Sequence, residues 1–305
     1  MTRFPHDQFA KDYLKELLAP LGEVETSRDV TGEVQEIDVW FAPSHQPIEY
    51  AQILGLLGRF ADKPAIFEPF RNAVMPTEVR SCINKLFDVY AGLERQARRD
   101  NTRIVEVDLP RLWILTPTAS ESLLQGFGAR LDEDNWGAGV YFLADYLRTA
   151  IVVIHQLPRT QETLWLRILG KARVQQQAID ELQALPSEHP LRFAVLELLR
   201  SLRTILEVSQ DLEPEDRNLI MRLSPLYEQR LAEATQQGLQ QGLQQGQRQV
   251  VENLLRAKFG ALDEQLSAII EPLLALPPEE FSRLLLQMSR EELLARFRDQ
   301  SLGNT

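Results

Sequence analysis

Hydrophobic positions change their period along the first part of the chain. Helical spacing is typical of residues 7–18, whose apolar positions are Phe9, Tyr13, Leu14, Leu17 and Leu18. Pro20 and Gly22 are expected to end that helix. From Glu33 to Phe41 apolar and polar residues alternate instead, which predicts a strand with one apolar face. A second short strand is predicted at 65–70, and Pro69 favours a sheet edge or a bulge there.

Further strands and helices are predicted up to Pro158. A helix is indicated over 50–60, and another begins at Pro76 and ends near the arginines Arg98 and Arg99. Three more short apolar runs, at 112–116, 139–143 and 151–154, are typical of buried strands. Helices alternating with short strands predict an α/β (α+β) domain with a mixed sheet.

Beyond Pro158 the pattern is helical. Long helix-like stretches cover 164–185, 191–208 and 214–234, and shorter ones cover 263–274 and 278–297. We therefore predict an all-helical C-terminal region after the α/β domain. The expected divisions are 1–157 for the α/β domain, 158–234 for a helical region, 235–249 for a Gly/Gln repeat and 250–298 for a small helical domain.

A tetrapeptide repeat leads into the last division. Ala234, Gly238, Gly242 and Gly246 recur every fourth residue, and leucines follow the same step. Gly and Gln are typical of a flexible linker, whereas good helix formers on both flanks favour one continuous helix. In a helix the small residues lie along one stripe and permit close approach of a second helix. We expect a homo-oligomer that associates through Ala234–Leu255.

The composition of the chain excludes several classes of protein. The 305 residues carry a net charge of −11, which excludes a uniformly basic nucleic-acid coat but leaves room for a local basic groove. One cysteine, Cys82, excludes an internal disulfide framework and a cysteine-rich zinc site, and is expected to be a packed side chain. No apolar run reaches the roughly 20 residues of a membrane span. We expect a cytoplasmic protein with no membrane partner.

Acidic residues mark one candidate site. Glu36 and Asp38 share a face of their strand, and Glu68 lies on the next strand candidate. If the two strands pair, Asp38 and Glu68 approach each other and offer hard oxygen ligands to Mg²⁺ or Mn²⁺. Such an ion activates water and neutralises a scissile phosphate. The alternative is that Glu36 and Asp38 form the solvated face of an edge strand.

Short motifs resemble a known family. The segment His6-Asp7-Gln8-Phe9-Ala10-Lys11 resembles the helical opening of Rpn-type PD-(D/E)XK nucleases, in which His-Asp is followed by Phe and Lys; these proteins are also described as transposases. The resemblance covers roughly residues 1–155 and implies that Asp38 and Glu68 hold the metal of a DNA endonuclease. Residues 249–298 resemble a small helical domain of unknown function, sharing Leu254-Leu255 and Phe259-Gly260. That second resemblance implies architecture and no activity.

The sequence departs from the family at one catalytic position. Phe70 stands where the superfamily has a Lys or Gln two residues after the acid, and Phe cannot polarise water. Arg71 is expected to supply the missing catalytic charge if Pro69 introduces a bulge, and Lys85 is a second candidate. The alternative function is a catalytically inactive helical assembly protein that keeps the nuclease-like domain as a scaffold. Asp7 is a further candidate acid, although we expect it to cap its helix.

Overall fold

A mixed sheet lies at the centre of the N-terminal part of the chain. The computed structural model describes residues 5–30, 35–44, 48–209 and 212–298. Within those ranges the sheet has seven strands: β1 (Gly22–Val30), β2 (Gln35–Pro43), β3 (Ala65–Pro69), β4 (Arg111–Thr116), β5 (Arg130–Leu131), β6 (Val140–Phe142) and β7 (Thr149–Val153). Their order is β1-β2-β3-β4-β7-β6-β5. The pairs β3–β4 and β4–β7 are parallel and the others antiparallel, so the predicted mixed sheet is confirmed.

Helices flank the sheet and continue through the rest of the chain. Before β4 they are α1 (Pro5–Leu18), α2 (Ile48–Ile53), α3 (Leu56–Phe60) and α4 (Pro76–Arg99). Between β4 and residue 210 they are α5 (Glu121–Gly126), α6 (Glu133–Trp136), α7 (Leu164–Ile168), α8 (Ala172–Ala184) and α9 (Arg192–Glu207). The last five described are α10 (Pro214–Phe259), α11 (Glu264–Ala268), α12 (Ile270–Leu274), α13 (Pro278–Gln287) and α14 (Arg290–Arg298).

The structure corrects several of the strand predictions. β3 lies between β2 and β4, so the expected edge position is wrong. Pro69 is tolerated there because it is the last residue of the strand. β1 was not predicted, since Val24 and Val30 are its only strongly apolar residues. Residues 33–34 of the strand predicted from Glu33 lie outside the described residues.

Several predicted helices are interrupted. The helix predicted over 50–60 is split at Gly55, which has a positive φ of 55° and whose added Cβ would meet the Glu162 backbone. The stretch 164–185 is divided between α7 and α8, and the two C-terminal helices are likewise each divided in two. In contrast, α10 runs without a break from Pro214 to Phe259, so the repeat forms a helix rather than a flexible linker.

Two compact units divide the chain. They are Met1–Ser224 and Pro225–Thr305. Residues 158–224 are part of the same unit as the sheet, and one of them bonds to α1. The fully buried Tyr13 of α1 donates its hydroxyl hydrogen to the carbonyl of Trp165 in α7, at 2.8 Å.

The second unit has a core of its own. Val251 and Leu255 from the C-terminal end of α10 pack with Leu266, Leu273 and Phe281 of the helices that follow. The Lys258 ammonium donates to three backbone carbonyls at the end of α13, which stabilises the negative end of that helix. Within the described ranges, no helix has both the length and the apolarity needed to cross a membrane.

The bond between α1 and α7 is open to a direct test. Replacing Tyr13 with Phe leaves the buried Trp165 carbonyl without its donor, and we expect a loss of about 1–3 kcal/mol in the free energy of unfolding. Urea denaturation measures this loss. Tyr141→Phe is the matched control, since the Tyr141 hydroxyl bonds an exposed Gln156 and its removal costs little. Equal stability of Tyr13→Phe and wild type would contradict the role of this bond.

Candidate active site

The register of two antiparallel strands brings the predicted acids together. In the β2–β3 pairing, Val39 lies opposite Phe67 and Trp40 opposite Ile66. Continuing that register by one residue sets Asp38 opposite Glu68, with both side chains on the same face. The Asp38 backbone N–H lies 3.4 Å from Glu68 Oε1 and donates to it. The expectation that these two strands pair and place Asp38 near Glu68 is confirmed.

Helix α4 brings a lysine to this pair. Its buried face consists of Val79, Cys82 and Leu86, whose spacing of three and four residues packs one side of the helix on the sheet. Lys85 lies beside that face, and its ammonium donates to Glu68 Oε2 at 2.8 Å. The Cys82 thiol donates to the same oxygen at 3.8 Å. Asp38, Glu68 and Lys85 therefore lie in one cluster.

Glu68 is the most perturbed carboxyl of the cluster. Its side chain is 2% exposed. Burial, followed by the charge of Asp38, raises its pKa from the ordinary 4.5 to about 7, against the opposing effect of Lys85. Burial alone would lower the pKa of Lys85, but the charges of Glu68 and Asp38 outweigh it and raise that pKa. Lys85 therefore keeps its charge at neutral pH, and the pKa of Glu68 is raised towards neutrality.

Asp38 has a lysine partner of its own. The ammonium of Lys11, on α1, lies 2.9 Å from Asp38 Oδ1. Burial raises the pKa of Asp38, and Lys11 opposes that rise more strongly than Lys85 does. Each carboxylate of the pair thus forms an ion pair with one lysine, from a different helix. Removing either lysine leaves an uncompensated charge in a largely buried place.

A large cavity in the first unit gives access to Asp38. It measures about 1060 Å³ and is lined by residues of α1, the end of β3, α9 and the first turn of α10. Asp38 is 19% exposed and lines this cavity, whereas the nearly buried Glu68 does not. Phe9 and Phe70 give part of the wall an apolar character. A ligand that reaches the acid pair from this cavity meets Asp38 first.

Arg71, expected to act on the acid pair, has other partners. Its guanidinium donates to Asp216 at 3.0 Å, to Gln175 at 3.2 Å and to the Gly170 carbonyl at 3.3 Å. Asp216 also bonds His6 at 2.7 Å. Pro69 ends its strand without a bulge that turns Arg71 inward, so the structure brings Lys85, and not Arg71, to Glu68. Arg71 still lines the same cavity as Asp38.

The structure also shows where the other candidate residues, Asp7 and Cys82, lie. Asp7 lies in the first turn of α1 and pairs with Lys11 at 3.2 Å, so the expectation that it caps the helix is wrong. Acidic residues in a first turn favour the positive end of the helix dipole, which accounts for this position. Cys82 is buried, as expected, and burial raises the pKa of its thiol. Its thiol is therefore a poor nucleophile.

The donor set of the pair is compatible with Mg²⁺ or Mn²⁺. Among the residues that the structure describes, no group of three or more His, Cys, Asp and Glu side chains is arranged to hold a metal. Mg²⁺, however, is commonly held by one or two carboxylates, with water and substrate phosphate completing its shell. Asp38 and Glu68 supply two hard carboxylates on adjacent strands. The chemistry of these two donors is therefore of the kind that such an ion takes.

Lys11 is the component that the sequence interpretation missed. Its four-residue spacing from Asp7 was the local signal, since side chains at i and i+4 share a helix face. Nothing local indicated that this face lies over β2. Ser27 lies opposite Asp38 in the β1–β2 register and has a φ of 58°. Its hydroxyl accepts a hydrogen bond from Lys11 at 3.4 Å.

Stability is expected to depend on the protonation of Glu68. Because its folded pKa of about 7 exceeds the ordinary 4.5, the folded state holds the proton more tightly. The proton on Glu68 therefore stabilises the folded state. This stabilisation is complete below pH 4.5 and is lost as the pH rises through 7. Relative to Glu68→Gln, the wild type should lose about 1 kcal/mol of unfolding free energy per pH unit in this window.

Chemical denaturation of both proteins at several pH values between 4.5 and 8 measures this difference. Glu23→Gln, at an exposed position of β1, is the control and should follow the wild type throughout. If the difference in unfolding free energy between Glu68→Gln and wild type stays constant from pH 4.5 to 8, the raised pKa of Glu68 is contradicted.

Comparisons with known proteins give no match that could assign a role to the cluster. No family model, no curated protein and no solved structure matches this chain.

Proposed function

We propose that this chain is a metal-dependent nuclease-like protein that acts on DNA phosphodiesters. The observation that carries the proposal is the cluster of Asp38, Glu68 and Lys85, which are two acids and a lysine on adjacent elements of one sheet face. These residue types are those of the PD-(D/E)XK pattern that the short motifs resemble. The element order α1-β1-β2-β3-α4-β4 agrees with that fold, apart from the short helices before β3.

The three residues have distinct roles in this proposal. Asp38 and Glu68 would hold Mg²⁺ or Mn²⁺, and the bound ion would supply an activated water and charge neutralisation for the phosphate. Lys85 keeps its proton, so it contributes positive charge near the phosphate and does not act as the base. Through its 2.8 Å bond it also orients the Glu68 carboxylate. Lys85 thus takes the role that Phe70 cannot perform.

A second function is favoured by a different observation. Asp38 and Glu68 already have lysine partners, at 2.9 Å and 2.8 Å, so both acids are paired without a metal ion. A nuclease-like domain kept only as a scaffold for helical assembly would have such a cluster. In that case the functional surface would lie on the helices, and the acid pair would serve the fold.

Of the expected assembly segment Ala234–Leu255, helix α10 offers the glycine stripe, because Val251 and Leu255 are buried in the core of the second unit. A Cβ added at Gly238, Gly242 or Gly246 would meet no atom within 4 Å, so this stripe is open. Leu239 and Leu243 beside it are 64% and 58% exposed. Interior glycines cost a helix roughly 1 kcal/mol each relative to Ala. We infer that the glycines permit close approach of α10 from a second copy, forming a homo-oligomer.

Plasmid cleavage with Mn²⁺ tests the nuclease proposal. Asp38→Asn and Glu68→Gln should each lower the rate about a hundredfold or more, because each removes a carboxylate from the metal pair. Lys85→Met should do the same through the lost positive charge. Arg71→Gln should retain cleavage, since the Arg71 guanidinium contacts Asp216 rather than the pair.

Circular dichroism and melting temperatures establish that each variant is folded, and Lys63→Met, at an exposed position, is the matched lysine control. Equal cleavage by Asp38→Asn and wild type would overturn the assignment. If the folded wild type does not cleave DNA or RNA with Mn²⁺ or Mg²⁺, the scaffold function is favoured.

Two substitutions at one glycine test the assembly surface. Gly242→Ala and Gly242→Leu both remove the helix penalty of glycine, and neither meets an atom of its own chain at Cβ. Only Leu should block the approach of a second helix, so it should weaken self-association while Ala is tolerated. Light scattering at tens of micromolar measures the molar mass. A monomeric wild type would contradict the oligomer.

A further inference from the structure

Four oxygen atoms surround the ammonium of Lys11. Asp38 Oδ1 lies at 2.9 Å, Asp7 Oδ2 at 3.2 Å, and Glu36 Oε1 and Ser27 Oγ each at 3.4 Å. The three carboxylates come from α1 and β2, and the hydroxyl comes from β1. An ammonium has three hydrogens to donate, so this shell more than satisfies it. Lys11 is therefore the resident cation of an oxygen-rich position that includes Asp38.

The Lys11 side chain is held in this position. It is 9% exposed, and it lies on the buried side of α1 with Phe9 and Ala10. Burial alone would lower its pKa, but the hydrogen bond and charge of Asp38 outweigh burial and raise it. The ammonium therefore does not leave by losing its proton near neutral pH. A divalent ion that binds Asp38 must compete with a permanent positive charge.

We propose that Lys11 sets the metal affinity of the site, because it occupies the cation position of Asp38 until a divalent ion displaces it. This inference rests on the proposed function, since it concerns the same carboxylate pair. Lys11 is then a positioning residue: it contacts Asp38 and acts through it. With no metal bound, Lys11 keeps Asp38 neutralised and aligned with Glu68, so the empty site does not destabilise the sheet.

Lys11→Met separates this role from a merely structural one. Met keeps a similar length and an apolar stem, and it removes the charge together with the ammonium hydrogen-bond donors. The metal-free variant should melt at a lower temperature than wild type, because Asp38 loses its partner. Its Mn²⁺ dissociation constant, measured by calorimetry on the full chain, should fall at least about tenfold, which corresponds to 1.4 kcal/mol. A residue that only stabilises the fold would give equal or weaker Mn²⁺ binding when removed.

Two further variants locate the effect. Lys15→Met, at an exposed position of α1, should bind Mn²⁺ as the wild type does. Lys11→Met combined with Asp38→Asn should lose the gain in affinity, since the carboxylate that the ion would take is gone. If Lys11→Met is unfolded without metal, Mn²⁺ should restore its helical circular dichroism, and failure to do so overturns the proposal.

The outcomes distinguish this inference from the proposed function. Tighter Mn²⁺ binding by Lys11→Met, with no cleavage by any variant, supports the role of Lys11 and removes the nuclease function. Metal-dependent cleavage by wild type, with Mn²⁺ affinity unchanged or weaker in Lys11→Met, removes the role of Lys11 alone. Absence of Mn²⁺ binding in both proteins overturns both.

Discussion

In the pairing of β2 with β3, side chains alternate between the two faces of the sheet, and the candidate site depends on that alternation. Val39 opposite Phe67 fixes Asp38 opposite Glu68. A slip of one residue would turn Asp38 to the other face and expose the buried Ile37 and Val39. The apolar face of β2 therefore holds the acid in place. The burial of hydrophobic side chains specifies the position of a polar one.

Neutralisation of the two acids by lysines from α1 and α4 follows from this placement. A carboxylate as deeply buried as Glu68 is costly to ionise, and Lys85 offsets part of that cost. Lys11 does the same for Asp38, which stays open to the cavity. The result is an asymmetric pair, with one acid accessible and the other enclosed. That asymmetry gives the two carboxylates different environments on one face of the sheet.

Much of this arrangement could be predicted from the sequence, but the side chains that pair with the site residues could not. Alternation identified β2, and Asp38 and Glu68 followed from the assumption that neighbouring strands pair. The mostly polar residues of β1 give no strand pattern, and Pro69 favours a sheet edge or a bulge although β3 lies inside the sheet and ends at that residue. The partners of Arg71 and Lys11 depend on which helices pack over the sheet. Contacts such as Arg71 with Asp216 join residues far apart in the chain and leave no local pattern.

The polar cluster also has a consequence for the order of folding. Its contacts join Glu68 to Lys85, Lys11 to Glu36 and Asp38 to Glu68, which are 17, 25 and 30 positions apart. Loops of that length must close before any of these bonds can form, so the cluster contributes nothing to early local structure. In any chain whose helices are formed but not docked on the sheet, the acids would lie in water with their ordinary acidity. The shifted proton affinity of Glu68 is therefore a marker of the docking of β2, β3 and α4, and it does not report the formation of any single helix.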